Sequence, residues 1–568
     1  MKSITTLALL GLALTAQGQI RLNQVGVTPQ QEKTAVVEGA VKASQVKILN
    51  AQTGKVAVKP KVLRVATSPL SGKRRTVVDF SRLTSEGDYV MVAGNERQPF
   101  TVRQHALQDV SKGALKAFYL IRSGMPIEQR YADTWARPQG HADTRVLVHA
   151  SAASPGRPEG TVISSPKGWY DAGDYNKYVV NSSYSIGLML CVYEQVRSYF
   201  DQLNVNIPES GNRTADLLDE MMYNLQWLLT MQDPWDGGVY HKLTTPNFEG
   251  FVMPTDCHQP RYVVAKSTAA TLDFAAVMAQ AARLFQGNAD YPGFAAEASR
   301  AALAAYHWAE LNPEVRYRQN EMNKHYQPAV TTGEYGDFFL GDEWFWAATE
   351  LYLLTGDSKF RQDAAKRQPA QFHPTSWGGV AALGTYEWLT QCAEDAIAQT
   401  ARPQLLAYSD SLLTAIPASS FQTPSGNRAK DFDWGCLGGS FCSTGVALLF
   451  AYRLTGDSRY LTAARQNADY ILGRNALGYC YVTGFGTHSP MHPHHRISAA
   501  DGIDKPFPGL LVGGPNPGQQ DKGSNLTYLS DVPDESYMDH VDSYASNEIA
   551  TNWNAELVSL MGWLDAIE

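Results

Sequence analysis

The chain has 568 residues, a formal net charge of −8, and 44% apolar and 18% charged residues. That length exceeds one ordinary core, so at least two domains are expected, and the composition excludes a disordered chain. The acidic balance excludes the basic footprint of a nucleic-acid binder.

The opening "MKSITTLALLGLALTAQGQI" carries one lysine, an apolar stretch from Leu7 to Leu14, and small residues at Ala16 and Gly18. It reads as a secretory signal over residues 1–18, which predicts a periplasmic or secreted mature protein. No cysteine follows to anchor a lipid, and no later stretch is predicted to span a membrane.

Residues 19–105 read as a small all-β sandwich of immunoglobulin-like type. "QVKILN", "TVVDFS", "DYVMVAG" and "QPFTV" are short, alternating and valine-rich, with turn signals "QTGK" and "SEGD" between them. From there to residue 568 the period is helical. Segments 266–285, 294–311, 342–356 and 443–456 each run three turns or more, and Ser, Thr or Asp near their starts predicts capping. "LTGDSKF" (354–360) and "LTGDSRY" (454–460) repeat a helix–turn–helix unit, with Gly356 and Gly456 suited to a left-handed helix end. About twelve helical segments predict a mainly α fold, an (α/α)6 toroid of six hairpins.

Long glycine- and aromatic-rich loops separate the helices at 137–178, 233–265, 474–498 and 501–537, where function is expected. The first ends in "GWYDAGDYNKY", which sets Asp171 and Asp174 among Trp169, Tyr170, Tyr175 and Tyr178. Ionised acids in such surroundings are costly unless paired or used, the plain alternative being caps of the helix that follows. "YVTGFGTHSPMHPHHR" (481–496) concentrates four histidines and Arg496; its spacing suits substrate hydrogen bonding better than a metal site. "SYMDHVDSYASNEIATNWNAEL" (536–557) places Asp539, Asp542 and Glu548 ahead of the final helix. The chain shows neither a Gly-x-Ser-x-Gly nucleophile turn nor the Lys-Ser/Thr of a phosphate loop. The six cysteines include no Cys-x-x-Cys pair; Cys436 and Cys442 are near enough in sequence to bridge, with free buried thiols as the default.

Two acids on separate loops suit glycoside hydrolysis, one protonating the leaving oxygen and the other activating water. A closed ring would bring the first and last hairpins, and so these loops, to one end of the barrel. At these residues the chain resembles glycoside hydrolase family 9, the inverting β-1,4-glucanases that include many cellulases. "DAGD" matches the family's base motif, which implies Asp174 as general base with Asp171 helping to hold the water. The match of "YMDHVDSYASNEIATNWNA" implies Glu548 as general acid and Asp539 as an active-site carboxylate. The histidine segment implies substrate contacts from His494 and Arg496, although Cys480 and His488 depart from the family pattern. "IRLNQVG" (20–26) resembles the opening of the immunoglobulin-like domain that precedes many of these catalytic domains.

Tyr544, Trp169 and His241 complete the expected substrate-binding set, with a structural role as the alternative for Trp169 and His241; Trp235 and Trp434 are further stacking candidates, weighed equally against core packing. The resemblance implies no cofactor for the chemistry and a structural calcium near Asp342 and Glu343, where an acidic helix start is the plain alternative. The expected substrate is a β-glucan or a β-1,4-linked oligosaccharide, cut in endo fashion. Exo-acting β-glucosidase, cellodextrinase or exo-β-glucosaminidase action is the alternative, which the long loop 137–167 keeps open, and a non-catalytic glycan-binding protein is a distant third.

Overall fold

A computed structural model of the chain describes residues 19–523 and 525–568, so the expected leader at 1–18 lies outside the described residues. The N-terminal unit is a sandwich built from β1 (Ile20–Arg21), β2 (Thr34–Glu38), β3 (Val46–Asn50), β4 (Val56–Val58), β5 (Lys61–Thr67), β6 (Arg74–Asp79), β7 (Gly87–Ala93) and β8 (Glu96–Val102). One antiparallel sheet runs β1-β2-β6-β5 and the other β4-β3-β7-β8. Val37, Ile48, Val78, Met91 and Phe100 fill the space between them. Strands β3, β6, β7 and β8 correspond to the four anticipated segments. β2 (TAVVE) showed no alternation because it is buried on both faces, Val37 toward the sandwich core and Val36 toward the helical domain.

This second burial fixes the sandwich on the larger domain. Arg75, fully buried, bonds Glu38 at 2.9 Å and lies 4.3 Å over the Phe421 ring. From the other side Arg474 pairs with Asp469 at 2.9 Å and reaches Thr34, while Asn23 donates to Asp469 at 2.8 Å.

Among the described residues twelve α-helices of at least 9 residues build the barrel of the helical domain. In chain order they are α1 (Gln108–Leu120), α2 (Val179–Gln195), α3 (Asp216–Thr230), α4 (Thr268–Leu284), α5 (Phe294–Leu311) and α6 (Gly341–Thr355). They continue with α7 (Ser358–Lys366), α8 (Ala381–Gln391), α9 (Ala396–Leu413), α10 (Thr444–Thr455), α11 (Ser458–Ile471) and α12 (Thr551–Ala566). The even-numbered helices form the inner ring and the odd-numbered ones the outer layer. α2 packs on α4 and α12, α4 on α6, and α6 on α8. The Tyr386 and Phe450 rings, stacked at 3.8 Å, join α8 to α10, and Trp563 of α12 meets Phe450 edge-on. The fold is therefore an (α/α)6 barrel behind a β-sandwich.

Two details differ from expectation. The inner ring closes where α12 packs on α2, and α1 packs on α12 from outside, so the sixth hairpin is made from the two ends of the domain rather than from consecutive helices. Side-chain capping is also rarer: Ser267 accepts from Ala270 N–H at the start of α4, but α5 starts from Gly293 and α6 after Leu340 with no capping side chain. Packing of apolar faces, more than capping, sets these starts. The repeated turns do behave as read. Gly356 and Gly456 adopt φ 70° and 72°, and Asp357 and Asp457 accept from the amides of Lys359 and Arg459.

Leu437–Thr455 is, contrary to expectation, long and apolar enough by composition to cross a bilayer, yet 72% of it is buried in the barrel core. Among the described residues no disulfide forms, and Cys436 and Cys442 are buried free thiols. The long loops 137–178 and 233–265 fold together. Their strands β9 (Val146–Val148), β10 (Val162–Ile163), β11 (Lys177–Tyr178), β12 (Lys242–Thr244) and β13 (Tyr262–Val263) form a sheet in the order β10-β9-β13-β12-β11.

Candidate active site

Three loops distant in sequence are stitched together by main-chain bonds at one end of the barrel. Ala172 pairs with Ala550 and His494 with Glu548 in β-bridges. Thr551 N–H donates to Asp171 O at 2.8 Å, Arg496 N–H to Gly173 O at 3.0 Å, and His494 N–H to Asn547 O at 2.9 Å. The backbone alone therefore brings the first acidic motif, the histidine segment and the C-terminal motif to one place. Gly173 is the pivot. A Cβ there would stand 2.2 Å from His494 O and 3.1 Å from Glu548 Oε1, so no larger residue fits between these loops.

Asp171, Asp174, His494, Arg496, Tyr544 and Glu548 line a single cleft of 680 Å³ together with aromatic residues. Helix α2 begins with Tyr178 as its flanking residue and no side-chain cap, so Asp171 and Asp174 are not helix caps. Asp171 accepts from Asn181 at 2.6 Å and Thr551 at 3.2 Å through Oδ1, and from the Tyr335 hydroxyl at 2.8 Å through Oδ2. Burial, then the neighbouring Asp174, pushes it up to about 7. Asp174 Oδ2 accepts from Asn176 Nδ2 and, at 3.2 Å, from the Tyr178 hydroxyl.

Glu548 Oε1 receives the Gly173 N–H at 3.3 Å. Burial and the charge of Asp174 push this carboxyl up to about 8, against the opposing pull of Arg496 and the Gly173 amide. His494 faces Val541 O through Nδ1 at 2.7 Å, which assigns the proton to Nδ1, and burial lowers its pKa. Arg496 clamps the motif from below, donating to Gly173 O at 2.8 Å and to Glu249 O at 2.7 Å, with Phe248 and Phe251 over its guanidinium.

Three expected site residues sit elsewhere. Asp539 does not line the cleft: it accepts the main-chain amides of Met491 and His492, both at 2.8 Å, and so holds the histidine segment in place. Trp169, expected as a substrate contact, is a core residue whose ring lies 4.6 Å from Phe118 and whose Nε1 donates to buried Glu220 at 2.8 Å. His241 is likewise buried, bridging Ser267 Oγ at 2.9 Å and Glu334 O at 2.8 Å while stacked on Tyr317. Both were drawn inward by apolar neighbours that periodicity cannot assign to a cleft or a core. Lys177, with Asp143 at 2.7 Å, is a buried pair below the floor.

Several lining residues had no signal in the sequence. Tyr335, Gly333 and Glu334 come from the loop before α6, Phe248 from the loop after β12, and Trp377 from the loop before α8. Trp434, weighed as a platform, does line the cleft, 43% exposed, with Tyr544 at 5.5 Å between ring centres.

A second cluster lies at the start of α6. Glu343 and Asp273 are fully buried, and none of their four carboxylate oxygens meets a donor; Asp337 Oδ2 is also without one. Asp342 beside them accepts Val380 N–H at 2.9 Å. Burial raises both Asp273 and Glu343 well above the carboxylate range, with the other acids of the cluster adding to the effect. Oxygen-only donors of this kind fit a hard cation such as calcium.

The comparisons with known proteins agree with this geometry. The profile of glycosyl hydrolase family 9 matches residues 108–561, and that of the cellulase N-terminal Ig-like domain matches 15–98. The chain belongs to glycosyl hydrolase family 9. Relatives of this glycosidase include the xyloglucan-specific endo-β-1,4-glucanase of Bacteroides ovatus, 53% identical over 96% of this chain and 94% of that protein. Endoglucanase D of Acetivibrio thermocellus is 32% identical over 96% of this chain and 83% of its own length. A solved structure of a Bacteroides ovatus family-9 protein superposes with a TM-score of 0.93 at 52% identity, covering 96% of this chain and 99% of that one. The family-9 enzyme is thus a glycoside hydrolase of the endo-β-1,4-glucanase type.

Proposed function

We propose that the family-9 enzyme hydrolyses internal β-1,4-glucosidic bonds by single displacement with inversion, on a branched β-glucan of the xyloglucan class. The observation that carries the mechanism is Glu548 and Asp174 facing one cleft across Gly173. Glu548 is the general acid. Its raised pKa keeps it protonated near neutrality, and Gly173 N–H on Oε1 leaves Oε2 to donate to the departing glycosidic oxygen. Asp174 is the general base. Asn176 and Tyr178 hold its Oδ2, which turns Oδ1 to a water on the opposite side of the sugar. As the C1–O bond breaks, the water oxygen bonds to C1, its proton passes to Asp174, and the proton of Glu548 passes to the leaving hydroxyl. Asp171, held by three donors, orients the same water, and Asp539 acts indirectly by fixing the histidine segment.

Endo action is supported by the place of loop 137–167. Among the described residues none of it lines the cleft, because it folds away into β9 and β10. Trp434, Tyr544, Trp377 and Phe248 offer stacking faces to successive sugars. The xyloglucan preference rests on the Bacteroides ovatus relative and its near-complete coverage. The leader at 1–18 supports a periplasmic or secreted location, and the cluster of Asp273, Asp337, Asp342 and Glu343 supports a structural calcium.

The test is proton NMR of fresh products from xyloglucan and from cellohexaose. Initial α-anomer with mid-chain products is expected. Initial β-anomer would overturn the roles of Asp174 and Glu548, and glucose as sole product would overturn endo action. Faster turnover of unbranched glucan would overturn the xyloglucan preference alone.

A further inference from the structure

The junction between the two domains meets the end of the last helix. His105 lies between β8, which ends at Val102, and α1, which begins at Gln108; Asp565 is in the last turn of α12 and Glu568 follows it. α12 starts at Thr551, whose hydroxyl touches Asp171, so its far end stands about 21 Å from the cleft at 1.5 Å rise per residue.

One ligand atom from each of His105, Asp565 and Glu568 lies within 4.8 Å of the other two. His105 Nδ1 is 3.3 Å from Asp565 Oδ2, and the imidazole is half exposed while the Asp565 side chain is 0% exposed. Asp565 Oδ1 accepts Leu107 N–H at 3.2 Å. The Glu568 side chain is 3% exposed, yet neither of its oxygens meets a hydrogen-bond donor. Its nearest cation, Arg465, is 4.0 Å away, outside hydrogen-bond reach. A buried carboxylate left in that state is costly, so a partner from outside the chain would complete the group.

We propose that His105, Asp565 and Glu568 bind a divalent first-row transition ion, zinc by donor chemistry, which staples the domain junction to the end of α12. An imidazole nitrogen with two carboxylate oxygens suits zinc, whereas calcium takes oxygen ligands. Donors about 2.1 Å from a tetrahedral ion stand about 3.4 Å apart, close to the separation of His105 Nδ1 and Asp565 Oδ2. The exposed edge of His105 leaves the fourth position to water. The distance from the cleft makes the site structural rather than catalytic.

The test uses the full chain, stripped with chelator and returned to excess calcium so that the acidic cluster at Glu343 is filled. Zinc is then titrated by calorimetry while thermal unfolding and glucan cleavage are followed. One tight equivalent, a Tm rise of roughly 2–5 °C and an unchanged cleavage rate are expected. His105→Ala and Glu568→Gln should each weaken binding at least about tenfold. Cobalt in place of zinc should give visible absorption that His105→Ala removes. No uptake by the wild-type chain, or uptake that both variants retain, would overturn the site and leave Glu568 a buried acid holding a proton.

Discussion

The amide of Gly173 donates to Glu548 Oε1 at 3.3 Å while its carbonyl accepts from both the backbone and the side chain of Arg496. One residue without a side chain thus links the turn carrying the two aspartates, the loop carrying His494 and the loop carrying Glu548.

Gly173→Ala should therefore lower kcat by about 100-fold through displacement of the reacting groups by a few tenths of an ångström or more. The added Cβ has backbone, not a yielding side-chain tip, at 2.2 Å. KM should change little, because the aromatic platforms stay in place. Steady-state kinetics on xyloglucan oligosaccharides checks this, and an unchanged kcat would mean that the loops part freely.

Glu548→Gln and Asp174→Asn should separate the two roles by leaving group. On glucan both variants are expected to lose about 100- to 10,000-fold in kcat. On an aryl cellobioside with an acidic phenol, Glu548→Gln should recover most of its rate, since that leaving group needs no proton, and Asp174→Asn should not. Equal recovery by both would contradict the assignment.

The pH profile follows from the raised pKa of Glu548. Activity needs its protonated form, so the basic limb of kcat against pH should fall through about 8, and Glu548→Gln should abolish that limb.

Stability carries the same signature with a definite sign. The folded carboxyl titrates near 8 and the unfolded one near the ordinary 4.5, so the folded state binds the extra proton between these values. The Glu548 contribution is thus present below the unfolded pKa and is lost as pH rises toward the folded one. Glu548→Gln should raise Tm relative to wild type at pH 8 and narrow that gap at pH 5. Calorimetry at the two values decides, and a gap that widens toward acid would contradict the burial argument.

Calcium should raise Tm after chelation, and Glu343→Gln should blunt that response. Asp273 and Glu343 bury four oxygens without donors, so neutralising one acid also relieves repulsion in the cation-free state. Differential scanning fluorimetry with and without calcium reads both effects. A wild-type Tm indifferent to calcium would mean that protons alone neutralise the cluster.

The catalytic motifs were legible because hydrolysis needs particular residue types at short spacings: Asp171 and Asp174 three apart, and Glu548 within its aromatic and asparagine frame. Helical periodicity and the repeated Leu-Thr-Gly-Asp-Ser turn carried the barrel, since a helix face and a left-handed glycine are local requirements. The strands of the sandwich were half legible. β3, β7 and β8 show alternation, whereas β2 and β6 are buried on both sides and show no period, β6 being marked by its valines alone.

Local sequence determined which residues have the chemistry, but not what surrounds each one. Tyr335 reaches Asp171 across 164 positions and Thr551 across 380, and no local pattern encodes such meetings. The same limit governs Trp169 and His241, whose motif neighbourhoods suggested the cleft while long-range packing took them into the core. Ring closure by α12 on α2, and with it the convergence of Asp174 and Glu548, is a property of the whole barrel. Burial and charge then set the pKa of Glu548, because desolvation depends on every atom around a group and not on its neighbours in the chain.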